Sequence, residues 1–167
     1  MSILTDLLNR VQAVSESLAQ GDVIRDVLVR HEADVLDLQR QQLFEGKRPD
    51  GEDIRPLYSE DLKPRGYFHS VESAGRYAAW KEDISPYSAS RNPDAPNLYI
   101  NGRFHSELGV NFDAETVAVI GETSYAQGIM LKYADAFGLS PANWAAIFRE
   151  RGAFEELLNE VKTMLYD

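Results

Sequence analysis

The chain has 167 residues, which is enough for one domain of ordinary size and too few for a second independent core. Its composition is 44% hydrophobic and 26% charged, which excludes a largely disordered or collagen-like protein. Seventeen Lys plus Arg against 27 Asp plus Glu give a net charge of −10, which disfavours direct binding of nucleic acid through its phosphates.

Cysteine is absent, which excludes disulfides, thiolate nucleophiles and cysteine-based metal sites. No stretch reaches the roughly 18 apolar residues of a membrane-spanning helix. Asp6 interrupts the first residues before a signal-peptide core can form. We therefore expect no membrane association and a protein that stays in the cytoplasm where it is made, or is assembled there into a larger object.

Residues 1–45 are predicted to be helical. A first short helix is marked by leucine and valine at helical spacing, and Gly21 interrupts the pattern. A longer helix is expected from an N-cap at Asp22 to Gly46, with one apolar stripe made by Ile24, Val27, Leu28, His31, Val35 and Leu38. Because His31 lies on this stripe, it is interpreted as a partly buried structural histidine.

Residues 46–97 are predicted to form an irregular insertion with one short helix. The segment Lys47–Gly51 has turn chemistry, since proline fixes φ, aspartate caps locally and glycine accepts positive φ. Only Ser70–Ile84 is free enough of proline to form a helix. The proline- and serine-rich stretch from Ser85 to Asn97 is predicted to be an exposed, mobile loop.

Residues 98–121 carry the strand signals. Asn101-Gly102 is a tight-turn dipeptide, because both residues tolerate positive φ. From Phe104 to Phe112 apolar and polar residues alternate, which is typical of a half-buried strand. The β-branched run Thr116–Gly121 is predicted to pair back on it as an antiparallel hairpin.

Residues 125–166 are predicted to be helical again. One helix is expected from Tyr125 to Phe137, and Ser140-Pro141 has the preferred N-cap and N1 order for the next. Gly152 is expected to bend or split the terminal helix. The fold class predicted is α+β, a single domain with N-terminal helices, a small mostly antiparallel sheet with a central hairpin, and a C-terminal helix packed on the sheet.

No catalytic, cofactor or metal site is predicted from the residues. The three histidines, His31, His69 and His105, lie far apart and share no metal-ligand spacing. Nucleophile-elbow, phosphate-loop, dinucleotide-binding and calcium-loop motifs are all missing from the sequence. The paired carboxylates are interpreted as solvated surface. One rival hypothesis remains, a small hydrolase or metal-dependent enzyme in which His69, His105 and a carboxylate converge.

The order of these segments resembles the tailed-phage virion-morphogenesis family, whose members act in tail completion or head-tail joining. Four segments carry the resemblance: Gln42–Gly51, which ends in Pro-Asp-Gly; Ile54–Leu57; Leu98–Phe104, which contains Asn-Gly-Arg-Phe; and Tyr133–Gly138, which ends in Phe-Gly. The hairpin predicted between Leu108 and Gly121 matches the hairpin of that family.

The resemblance implies a non-enzymatic structural protein of the virion neck or head-proximal tail end. Its expected partners are its own copies, as a ring of six or twelve, and neighbouring virion proteins such as the connector, tail terminator or tail tube. Alternatives are a tail terminator, a head-completion adaptor, or an accessory binding protein absent from the particle. The candidate interaction residues are Pro49, Asp50, Gly51, Tyr87, Arg91, Asn101, Gly102, Arg103 and Phe104. Arg103 in particular is expected to pair with a carboxylate of a neighbouring subunit.

Overall fold

A computed structural model describes residues 3–86, 91–113 and 116–166, and it confirms an α+β fold. Helices dominate, and a two-stranded antiparallel sheet lies between them in the chain. The elements are α1 (Ile3–Gln20), α2 (Asp22–Arg30), α3 (Glu32–Phe44), α4 (Val71–Ile84), α5 (Arg103–Ser106), β1 (Leu108–Phe112), β2 (Val117–Gly121), α6 (Ser124–Lys132), a 3-10 turn (Ala134–Ala136), α7 (Pro141–Arg149) and α8 (Ala153–Tyr166).

The single long helix predicted from Asp22 to Gly46 is wrong, because the helix breaks at His31. The backbone of His31 leaves helical geometry at φ −98° and ψ 17°, and the residue ends α2 and precedes α3. Its ring is 7% exposed and lies 2.8 Å from Asp34 and 3.2 Å from Glu156 of α8, which confirms a buried structural histidine. Asp22 is not the N-cap of α2; Gly21 takes that position in a left-handed conformation.

The predicted hairpin is confirmed. β1 and β2 pair antiparallel with Val110 opposite Val119 and Leu108 opposite Gly121. The strand begins later than predicted, since Arg103–Ser106 forms the short helix α5. The alternation from Phe104 to Leu108 also fits a helical step of four, and Gly102 at φ 82° starts that helix.

The C-terminal helices follow the expected punctuation. Ser140 caps α7 by accepting a hydrogen bond from the Asn143 backbone N–H at 3.2 Å, with Pro141 at the first helical position. Gly152, at φ 88°, separates α7 from α8. The helix predicted from Tyr125 to Phe137 ends at Lys132 and continues only as the 3-10 turn.

Three hydrophobic clusters hold these elements together. The first lies between α2, α3, α7 and α8, and the sheet residues Val110 and Phe112 pack against it. The second surrounds the end of α3 and contains Leu43, Ile54 and Phe104. The third is smaller and fixes α4 against the irregular segment before it. α8 also contacts α1 and α2.

Replacing Gly75 by alanine is expected to raise the free energy of unfolding by about 0.5–1 kcal/mol, because glycine in a helix interior loses more backbone entropy on folding. Gly75 lies inside α4, and an added Cβ there meets nothing within 4 Å. Urea denaturation of the two proteins measures the difference. Ala79, exposed one turn later, provides the reciprocal control, since Ala79→Gly should destabilise by a similar amount. A destabilised Gly75→Ala variant would contradict the open surface at this position.

None of the helices among the described residues combines the length and the apolar composition needed to cross a bilayer.

Candidate functional site

The segments that carry the family resemblance meet in space around the end of α3. Arg48, just before the Pro-Asp-Gly turn, forms an ion pair with Asp135 of the Tyr133–Gly138 segment at 3.0 Å. Phe104 contacts Phe137 with ring centroids 6.0 Å apart. Tyr99 packs edge-on against Phe44 at 5.5 Å. Segments far apart in the chain therefore form one structural unit.

Two buried glutamines of α3 connect this helix to Gly138 and Ser140 by hydrogen bonds. Gln42 donates to the Gly138 carbonyl at 2.9 Å, and its own carbonyl accepts from the Ser140 backbone N–H at 3.1 Å and from the Asn143 amide at 3.1 Å. Gln39 accepts from the Gly138 backbone N–H at 2.8 Å. They satisfy polar backbone groups that no regular element pairs. The sequence pattern did not identify them, because glutamine in a helix is ordinarily a surface residue.

The Pro49-Asp50-Gly51 turn lies at the surface of this unit. The Gly51 backbone N–H donates to the Arg48 carbonyl at 3.0 Å, and Gly51 has φ 85°. The Asp50 side chain accepts from the Glu52 backbone N–H at 3.0 Å. Asp50 and Gly51 are exposed and Pro49 is half-buried, so a partner can reach this turn.

The Asn101–Phe104 segment divides between surface and core. The Asn101 side chain accepts from the Arg103 backbone N–H at 3.1 Å, which closes a local turn across Gly102, and the exposed Arg103 forms an ion pair with Glu107 at 2.8 Å. The Arg103 guanidinium also lies 4.5 Å from the centre of the Tyr125 ring. Within one chain, therefore, this arginine already has an acidic and an aromatic partner. Phe104 is 2% exposed and belongs to the core, so its selection as an interaction residue is wrong.

Residues 91–97 form no helix or strand, as predicted, but the predicted exposure is wrong for most of them. Arg91 is buried, donates to the Ala95 carbonyl at 2.7 Å and forms an ion pair with Glu82. Asn97 is completely buried and donates to Ser85 at 2.6 Å. Arg91 is therefore a structural residue rather than a contact for a partner. Tyr87, the other candidate in this loop, lies outside the described residues.

A buried polar group forms around Asn97. The Asn97 carbonyl accepts from Nε2 of His105 at 3.1 Å, which places the ring proton on that nitrogen, and the ring stacks on Phe44 at 4.4 Å. Burial, as the largest cause, lowers the pKa of His105 to about 4. Lys81 is 1% exposed, and burial followed by repulsion from Arg91 lowers its pKa to about 8. No pattern in the sequence indicates that either side chain is buried.

The geometry required by the rival enzyme hypothesis is not seen. His69 is exposed, with Nε2 3.1 Å from Nζ of Lys63, whereas His105 is buried against Asn97. Neither ring contacts a carboxylate among the described residues. In residues 3–86, 91–113 and 116–166, no three His, Asp or Glu side chains are grouped closely enough to hold a metal ion.

No protein-family model, curated protein or solved structure matches this chain. Functional argument therefore depends on the arrangement of its own residues.

The two terminal helices contact each other, and both expose large apolar side chains. α1 exposes Leu7, Leu8 and Val11 at 46%, 60% and 49%, and α8 exposes Phe154 and Leu158 at 52% and 41%. We call these five residues the α1–α8 face. Grouped exposed apolar side chains of this kind mark protein–protein contact surfaces more often than isolated ones do.

Proposed function

We propose that this protein is a non-enzymatic structural component of a tailed-phage virion, acting in tail completion or head-tail joining. The observation that carries the proposal is the meeting of Gln42–Gly51, Leu98–Phe104 and Tyr133–Gly138 around α3. If the order of these segments reflects a shared fold rather than chance, the segments are expected to contact one another in space. The resemblance supports a position at the neck or the head-proximal tail end.

The proposed working form is a ring of six or twelve copies. The α1–α8 face supplies apolar area for contact between copies, and the exposed Pro49–Gly51 turn supplies a polar contact at a different part of the chain. Neighbouring virion proteins, such as the connector, tail terminator or tail tube, are the proposed further partners. The chain would be made in the host cytoplasm and end in the virion.

The α1–α8 face can be tested on the isolated protein. Leu8→Glu is expected to weaken self-association by about tenfold or more, because a charge in an apolar contact costs at least the roughly 1.4 kcal/mol that a tenfold change represents. Sedimentation velocity over a concentration series measures this. Ile100→Glu changes a side chain of similar exposure, 55% against 60%, and serves as the matched control. Equal self-association of both variants and the parent would contradict the role of the face.

Quantitative mass spectrometry of purified particles tests the function itself. Copies of this chain are counted against the portal and the major tail protein in the same sample. A fixed number near six or twelve is the expected result. Absence from particles that still contain the other two proteins would overturn the structural role and favour an assembly helper or an enzyme. Labelling of the chain in intact particles would separate tail completion from the terminator and head-completion alternatives.

A further inference from the structure

The outer edge of β2 is unpaired in the described structure. The Asp113 backbone N–H donates to the Thr116 carbonyl, and the Glu122 backbone N–H donates to the Glu107 carbonyl. Because hydrogen-bonded pairs alternate along an antiparallel ladder, the backbone N–H and C=O groups of the even-numbered residues of β2 point toward β1. The backbone groups of Val117 and Val119 therefore point away from β1. At Gly121 the side chain of Gln127 donates to the carbonyl at 3.1 Å and closes that end of the edge.

An apolar groove of about 820 Å³ runs along this edge. One side is β2, and the other is formed by α6 and the segment that follows it, chiefly Met130, Leu131 and Phe137. Leu131 is 83% exposed, the largest exposure among the large hydrophobic side chains of the described residues. Charged side chains are absent from the lining that the structure describes. The groove thus offers an apolar floor beside a row of free backbone groups.

β2 also lacks the features by which edge strands usually avoid pairing. Its five residues, Val-Ala-Val-Ile-Gly, include no lysine, no proline and no other charge. The register to β1 is regular along the whole strand, without a bulge. An uncharged, regular open edge of this kind is free to pair with another strand.

We propose that this edge binds an extended segment of a partner protein, which adds to the sheet as a third strand beside β2. Its backbone would pair with Val117 and Val119, and apolar side chains at alternate positions would enter the groove over Met130 and Leu131. Because the chain carries a net charge of −10, basic residues flanking the apolar segment would favour binding. This inference does not depend on the proposed virion function.

The groove argues for a lone segment rather than for β2 of a second copy. If β2 paired antiparallel with β2 of a second copy, a twofold axis perpendicular to the sheet would relate the two copies. Equivalent faces of the two sheets would then lie on the same side of the joined sheet. Each copy would then bring its own α6 to the same side of the shared edge. The two helices would compete for the space that an isolated strand can fill.

The test uses a short peptide with alternating valine and threonine, lysine at both ends and capped termini. Binding to the full chain is measured by fluorescence anisotropy, and amide hydrogen exchange is followed by NMR with and without the peptide. We expect saturable binding and at least tenfold slower exchange at Val117 and Val119. The same peptide with N-methylated valine and threonine residues lacks the backbone N–H groups that its valine-threonine segment would donate to β2, and we expect it to bind at least tenfold more weakly.

A matched pair of variants locates the site. Leu131→Glu is expected to weaken peptide binding at least tenfold, because it places a charge in the groove. Leu131 is 83% exposed, so the substitution should leave the fold intact, and circular dichroism checks this. Val71→Glu alters a 59% exposed valine of α4, outside the groove, and is expected to leave peptide binding unchanged. Equal binding of the N-methylated peptide, or unchanged exchange at Val117 and Val119, would overturn the proposal. Exchange that slows with protein concentration alone would also overturn it, in favour of a second copy.

Discussion

Replacing Gln42 by leucine is expected to lower the free energy of unfolding by about 2–4 kcal/mol, since each buried polar group that loses its partner costs about 1–3 kcal/mol. Leucine matches the size of glutamine but cannot bond to the Gly138 carbonyl or the Ser140 backbone N–H. Gln42 is 5% exposed, so water does not readily replace the lost bonds. The midpoint and slope of urea denaturation give the difference in stability.

Gln41 provides the control for this variant. It is the adjacent residue on α3, but its amide donates only to Asp37, one turn earlier, at 3.0 Å. Gln41→Leu should therefore change stability by no more than about 0.5 kcal/mol, as is usual for surface substitutions. If both variants lost the same stability, the bonds of Gln42 to the Gly138–Ser140 segment would not be the cause.

The stability of the protein is expected to fall by about 3 kcal/mol between pH 6.5 and pH 4 through His105 alone, from 1.36 kcal/mol per unit of pKa difference. The pKa of His105 is lowered by burial from 6.5 to about 4 in the folded chain. Between pH 6.5 and about 4, His105 therefore binds a proton in the unfolded chain but not in the folded chain. The contribution is complete above pH 6.5 and is lost as the pH falls to about 4.

Comparison with a His105→Gln variant isolates this effect from the carboxylates that titrate in the same range. Glutamine keeps an N–H for the Asn97 carbonyl but does not titrate, so the variant should show a shallower loss of stability between pH 6.5 and 4. His69→Gln removes the exposed histidine and should retain the slope of the parent. Chemical denaturation at several pH values measures all three proteins. Parallel curves for the parent and His105→Gln would contradict the burial of a neutral ring.

Local sequence signals predicted the elements whose neighbours in space are also neighbours in sequence. The hairpin is predicted because apolar and polar residues alternate along β1, β2 is rich in β-branched residues, and a short connection joins them. The start of α7 was predicted because Ser140 and Pro141 act within one turn of each other. In these cases the residues that decide the structure lie within a few positions of the element.

The remaining features depend on contacts between distant residues. His31 breaks the first long helix, and its ring lies against Glu156, 125 positions later in the chain. The segment around Asn97 contains residues typical of loops, yet its polar groups are buried because Ser85 and His105 satisfy them. Phe104 belongs to a helical turn rather than a strand, since its ring packs against Phe137 in the core. Periodicity alone contains no information about these partners.

Few buried side chains attach α1 and α8 to the rest of the molecule, so these two helices are expected to unfold locally before the others. Val14 and Ala153 are the only buried apolar side chains among those described in α1 and α8. The ion pairs from α8 to Arg30 are about half exposed and contribute little in salt. The backbone amides of α1 and α8 should therefore exchange with solvent well before those of α3. This exchange would occur by local unfolding that leaves the second hydrophobic cluster, around Leu43, intact. The ends of the chain can thus be rearranged against a partner without the cost of unfolding the domain.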